Sequence, residues 1–248
     1  MRSGNPTLSD SIVYEWEGTV DPKNVMGIQG MVNKTLILLA VTILSAIWVW
    51  SSGVWANATT FMTIFWFVMI GELVLVMASV FRKKWVRITS PIYALLTGIL
   101  LGSISMVVES SYPGIVPQAI ALTFGVFFCL LLVYKLGLIK VTKNLMTGVL
   151  LATFAIFLIY AFSIIGWFIG FQIPLIHESG PIGIVFSLFV VSIASLNLLL
   201  DFHLVEEVAR LKAPKYMEWY CAFGLIVTLT WLYLEILRLL YKLSRGGR

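Results

Sequence analysis

IGIVFSLFVVSIASLNLLLD at residues 182–201 and GLIVTLTWLYLEILRLL at residues 224–240 decide the fold. They read as the two arms of an apolar hairpin into which charge has been set. Asp201 closes the first run, and Glu235 and Arg238 lie inside the second. An ionised side chain in hydrocarbon costs several kcal/mol, so an acid retained there is first of all a functional residue. In the second arm Gly224, Thr228, Trp231, Glu235 and Arg238 recur at helical spacing and share one face. In the first, Gly183, Ser187, Ala194, Asn197 and Asp201 form a similar small-and-polar stripe. Two such helices turn their stripes inward, toward each other or toward water, as an ion or proton path requires.

Outward from the hairpin, the 248-residue chain is 60% hydrophobic and only 12% charged, with a mean hydropathy of +0.97. That composition excludes an ordinary soluble domain and fits an all-α protein embedded in the lipid bilayer. The net charge of +5 does not argue for nucleic acid, because the basic residues flank apolar runs instead of forming a patch. Cys129 and Cys221 both fall inside apolar runs, so neither a structural disulfide nor a thiolate metal site is expected.

Apolar runs at about 36–55, 61–81, 91–108, 115–134, 146–169, 182–204 and 219–241 each approach the roughly 20 residues of a spanning helix. The expectation is a single bundle of seven transmembrane helices over 35–241, the last carrying a buried acid. It follows a polar, mostly irregular arm at 1–34 and ends in a basic tail at 242–248. Charge sets the orientation. Arg2, Lys23 and Lys34 lie in the arm, Arg82, Lys83, Lys84 and Arg87 in the second loop, Lys135, Lys140 and Lys143 in the fourth, and Arg210, Lys212 and Lys215 in the sixth. The odd loops carry none, which places the arm and the even loops in the cytoplasm of a multi-pass inner (plasma) membrane protein. Arg238, Lys242, Arg245 and Arg248 then fall on the opposite face, against the rule. The last segment therefore either crosses or re-enters, and crossing is the expectation.

Three further features stand out. Gly98-Ile-Leu-Leu-Gly102 lets a neighbouring backbone approach closely. Glu72, eleven residues past Phe61, lies near mid-membrane, where it joins a polar path or hydrogen-bonds a partner helix. Glu109, at the outer end of the third run, reads as solvated.

Several segments resemble the Bax inhibitor-1 family, in its bacterial branch. PGIVPQA at 113–119 running into LTFGVF at 122–127 resembles the start of that family's fourth helix. Gly98 to Ile104 is similar to its third-helix signature, Ser187 to Asp201 to its sixth helix, and LYLEILRLL at 232–240 to its last. The resemblance runs in order over about residues 32–241. It implies a seven-helix fold and a pH-sensitive calcium or cation leak through the membrane, as a channel or exchanger. It also implies a proton-sharing carboxylate pair as the gate, carried over by position to Asp201 and Glu235. These two are also the candidate ligands for a transported Ca²⁺, a hard cation that takes oxygen donors.

Three departures bear on that pair. Glu235 stands where the family carries aspartate, and Ser103 where it carries proline. The third is geometric: with a turn near Pro214, Asp201 and Glu235 differ in depth by about 12 Å at 1.5 Å per residue. Two arrangements repair this. Residues 214–223, with Tyr216, Trp219, Tyr220 and Phe223 on one face, lie along the interface and the crossing starts near Gly224. Alternatively Glu218 is the acid at the depth of Asp201, and Glu235 belongs with its charge partner Arg238.

The plainer alternative makes Asp201 a helix cap and Glu235–Arg238 a structural i, i+3 ion pair. His203 reads as interfacial, and His177 and Glu178 lie in an outer loop. No zincin helix and no Gly-x-Ser-x-Gly elbow occurs, and no lysine lies inside a run, so neither an enzyme nor a bound cofactor is indicated. The expected function is a pH-sensitive cation leak with Asp201 and Glu235 as gate and Glu72 in the path. The competing function is a non-conducting scaffold that modulates a membrane protein partner, such as a membrane protease.

Overall fold

The computed structural model describes residues 24–52, 58–169 and 180–246. Among these, seven helices are long and apolar enough to cross a membrane. They are α1 (Ile28–Ser52), α2 (Ala58–Phe81), α3 (Val86–Ser111), α4 (Ile115–Lys135), α5 (Lys143–Ile169), α6 (Pro181–Arg210) and α7 (Met217–Gly246), with a 3₁₀ turn at Lys83–Trp85 between α2 and α3. No strand occurs among the described residues, so the expected all-α membrane class holds.

Helix ends depart from the apolar runs for local reasons. α1 begins at Ile28, inside the stretch read as an irregular arm, and α7 continues to Gly246, through residues read as a tail. Residues 1–23 of the arm lie outside the described residues. Paired hydrogen bonds stop α4 and α6. Gly137 N–H donates to Tyr134 O and Leu138 N–H to Val133 O, with Gly137 at φ 68°. Lys212 N–H donates to Ala209 O and Ala213 N–H to Val208 O, with Lys212 at φ 52°. Both close the last carbonyls in the Schellman manner, and glycine adopts the left-handed residue without strain where lysine does not. Inside the helices, hydroxyls find partners in their own backbone: Thr35, Thr42, Ser90, Ser103, Thr123 and Thr153 each donate to the carbonyl four residues back. In hydrocarbon no water would do this.

The chain divides into two compact units, residues Met1–Val107 with His203–Thr230, and Val108–Phe202 with Trp231–Arg248. In the first, Leu38, Val86, Tyr93, Ala94, Ala222, Phe223 and Ile226 form the core. Close approach of α1 and α3 rests on glycine, as the Gly98–Gly102 spacing suggested. A Cβ on Gly98 would collide with Ser45 Oγ and the Thr42 carbonyl, and one on Gly102 would lie 2.9 Å from Ala46 Cα. The close backbones are tied by Thr42 Oγ1 to Ala94 O (3.1 Å) and Trp50 Nε1 to Gly102 O (3.1 Å). In the second unit Ile156, Val190 and Ile193 are buried together, with Tyr160 and Trp231 packed against them.

α7 runs unbroken, with no turn at which a re-entrant segment could double back. It and α3 are the most enclosed of the seven, whereas α2 turns Phe67, Ile70, Leu73 and Val74 outward, a surface suited to lipid.

Candidate functional site

α7 is where charge meets the apolar interior, and it does so at both ends. Near its start, Glu218 is 3% exposed. Its Oε1 accepts the Gly27 N–H at 3.0 Å, and its Oε2 pairs with the Lys34 ammonium. Lys34 stands 5.6 Å from the Trp219 ring centroid and also reaches the Gly30 carbonyl. A Cβ on Gly30 would fall within the Glu218 carboxylate and displace it. Beside it the chain entering α1 pairs with the α6–α7 connection through an antiparallel bridge of Val25 with Pro214. Met26 N–H donates to Ala213 O and Lys215 N–H to Asn24 O, both at 2.8 Å. An acid in the first turn of a helix also gains from the positive pole of that helix.

Met217, Glu218, Cys221, Ala222 and Phe223 are buried, and α7 starts at Met217. Residues 217–223 therefore belong to the helix itself.

Glu235, 2% exposed, belongs to the second unit. Tyr160 Oη donates to its Oε1 at 2.9 Å. Arg238 Nη1 lies 3.1 Å and 3.3 Å from its two oxygens and 2.6 Å from Tyr160 Oη, with the guanidinium 4.9 Å from the Tyr160 ring centroid. Glu235 and its charge partner Arg238 are thus joined as the i, i+3 spacing suggested. A turn further on, Lys242 is 3% exposed. It is not part of a solvated tail: its Nζ donates to Gly183 O at 3.0 Å and Ser187 Oγ at 2.9 Å.

These contacts fix the register of α6 against α7 in this unit. With Lys242 on Gly183 and Ser187 and Trp231 packed on the cluster of Val190 and Ile193, Glu235 faces α6 on the N-terminal side of Asp201. Asp201 is half-buried, with Oδ2 enclosed. The polar stripe of α6 does turn inward: besides Ser187, Asn197 Nδ2 donates to Thr153 Oγ1 at 2.7 Å.

Glu72, in the first unit, has Thr97 as a polar neighbour, and Tyr93 is close by. Glu72 Oε1 and Thr97 Oγ1 are both buried. Glu109 is not simply solvated. Its carboxylate accepts the N–H groups of Gly114 (2.6 Å) and Val116 (2.9 Å), capping α4 across a turn in which Gly114 has φ 89°. Glu207, 8% exposed with Oε2 unpartnered, was not singled out by the sequence. Nor were Tyr160 and Lys242, and the sole hint for Tyr160 was a phenol in the middle of an apolar run. His177 and Glu178 lie outside the described residues. Cys129 and Cys221 are free, and no three His, Cys, Asp or Glu side chains come together among the described residues. A cation here would be held by single carboxylates helped by hydroxyl and carbonyl oxygens.

Seven spanning helices with acids held in their interiors define a multi-pass membrane protein that keeps ionisable groups inside the apolar span. The chain matches the family described as Bax inhibitor 1 like over residues 5–245, and it belongs to that family. No curated protein and no solved structure matches it.

Proposed function

We propose that this protein is a pH-responsive leak for calcium or a related cation, in an inner (plasma) membrane with its N-terminus in the cytoplasm. The observation that carries the reading is Glu72, a carboxyl group enclosed within an apolar span beside the Thr97 hydroxyl and Tyr93. An acid kept at that depth is costly, which marks it as a functional residue. A carboxyl group able to take up a proton or meet a passing cation is what a path needs.

Membership of the Bax inhibitor 1 like family supports the same reading, as do the acids retained at Asp201 and Glu235. In this reading the two serve as successive stations, and a proton shared between them requires α6 and α7 to shift. The protein needs no enzyme chemistry and no resident cofactor; the cation is cargo.

Purified protein alone in liposomes, loaded with a calcium dye, tests this. Flux above protein-free liposomes, rising or falling steeply between mildly acidic and neutral pH, is the expected result. Folded protein that passes no cation at any pH would leave the non-conducting scaffold in its place.

A further inference from the structure

The turn between α2 and α3 concentrates positive charge with nothing beside it to balance it. Arg82, Lys83, Lys84 and Arg87 fall within six residues, and no acid occurs in the chain between Glu72 and Glu109. Arg82, Lys84 and Arg87 pair with no carboxylate among the described residues. Like charges this close repel one another until something negative meets them. The cations are also held on a fixed frame. The Arg82 guanidinium lies 4.7 Å from the Trp85 ring centroid, and the Lys83 ammonium 5.5 Å from that of Tyr220, in the first turn of α7. An aromatic face attracts a cation without neutralising it. Ser79 Oγ and Thr89 Oγ1, 2.7 Å apart, tie α2 to α3 close to the turn.

Apolar surface runs up to this cluster from both helices. On α2, Phe67, Ile70, Val74, Met77 and Phe81 share one face and are exposed, and Phe81, 75% exposed, directly precedes Arg82. On α3, Ile88 is exposed directly after Arg87, and Trp85, 52% exposed, stands in the turn itself. From Phe67 to Phe81 the α2 face runs roughly 21 Å at 1.5 Å per residue. That exceeds one leaflet of a hydrocarbon core about 30 Å thick. We propose that the α2–α3 turn binds the headgroup of an anionic phospholipid. Arg82, Lys84 and Arg87 supply the charge for its phosphate, and Phe81, Trp85 and Ile88 supply apolar surface for its acyl chains. Topology by itself asks only for basic residues on one side of the membrane. It does not ask that they be stacked on aromatic rings, kept apart from acids and flanked by exposed apolar faces. A zwitterionic lipid brings its own cation to the turn and is disfavoured, and a soluble acidic peptide has no tails for the apolar faces. The site stands whether or not the protein conducts.

The test uses delipidated full-length protein in detergent, its unfolding temperature followed against phosphatidylglycerol, phosphatidylcholine, inorganic phosphate and poly-glutamate. Phosphatidylglycerol gives a saturable upward shift that the other three do not match. Lys84→Gln combined with Arg87→Gln, two exposed side chains without ion pairs, removes most of that shift. Arg210→Gln combined with Lys215→Gln takes the same charge from the end of α6 and its connection to α7, and keeps the shift. Equal shifts with the two lipids, or equal losses in the two double variants, overturn the proposal in favour of diffuse attraction. A shift with poly-glutamate as large as that with phosphatidylglycerol overturns it in favour of an acidic protein partner, and one with inorganic phosphate in favour of a simple anion.

If the turn variant does not fold, wild type decides. Phosphatidylglycerol carrying a photoactivatable group on its headgroup is crosslinked to the protein in liposomes, and the attachment sites are mapped by mass spectrometry. Attachment concentrated at residues 81–88 supports the site. Attachment spread evenly over the ends of all the helices overturns it.

Discussion

The two charged ends of α7 solve the same problem in opposite ways. Glu218 takes its cation from another part of the chain, Lys34, and holds the approach to α1 by a backbone hydrogen bond as well. Glu235 takes its cation from one turn away on its own helix and adds a phenol from α5. The first arrangement ties distant segments together. The second leaves the carboxylate in a polar cluster in which the Arg238 side chain is 39% exposed. The contrast separates a clasp between distant segments from a local pair whose cation is partly exposed.

The largest effect should come from breaking the clasp. Removing one partner of a buried ion pair strands the other, a loss on the order of 3–5 kcal/mol. Glu218→Ala and Lys34→Met should each lower the unfolding temperature markedly in detergent, and the double variant should do little more than either, because the two residues share one interaction. Additive losses would dissolve the distinction drawn here. Gly30→Ala should imitate these variants by expelling the carboxylate.

Next comes the α1–α3 approach. Gly98→Ala forces a Cβ against backbone as well as side chain, and overpacking of this kind costs about 1–3 kcal/mol. Detergent unfolding with no change for Gly98→Ala would mean that the helices separate freely.

At the other end of α7 the expected effect is smaller. Tyr160→Phe removes one hydrogen bond to Glu235, worth roughly 1–1.5 kcal/mol. Arg238→Met should cost less than Lys34→Met, since a partly exposed pair is screened. A larger loss for Arg238→Met would make the Glu235 end the true clasp.

What the sequence made legible follows the same division. The spans, the Gly98–Gly102 contact and the Glu235–Arg238 pair are written in neighbouring residues at helical spacing, and all three are present. The Glu218–Lys34 pair joins positions 184 apart, and nothing local marks Lys34 as more than a topology charge. Glu109 was read as solvated because its partners are backbone N–H groups beyond a glycine turn, and a residue pattern does not reveal free N–H groups. Lys242 was assigned to a tail because apolar periodicity fades before it, although the helix and its burial continue. For Asp201 and Glu235 the turn position argued for a depth offset, and the family resemblance, which pairs the two, pulled the other way.

Orientation offers a gentler check on which end of α7 faces the cytoplasm. A cysteine placed at Trp85 should resist an impermeant thiol reagent added outside intact cells. Labelling there would invert the whole arrangement.

The most direct test is calcium flux in liposomes from mildly acidic to neutral pH, for wild type, Asp201→Asn, Glu235→Gln and the double variant, each first shown to be folded. Separate carboxylate stations predict that each single change alters flux and its pH dependence, and that the double variant combines both effects, since well-separated sites act nearly independently. Single variants that match wild type at every pH would contradict the account.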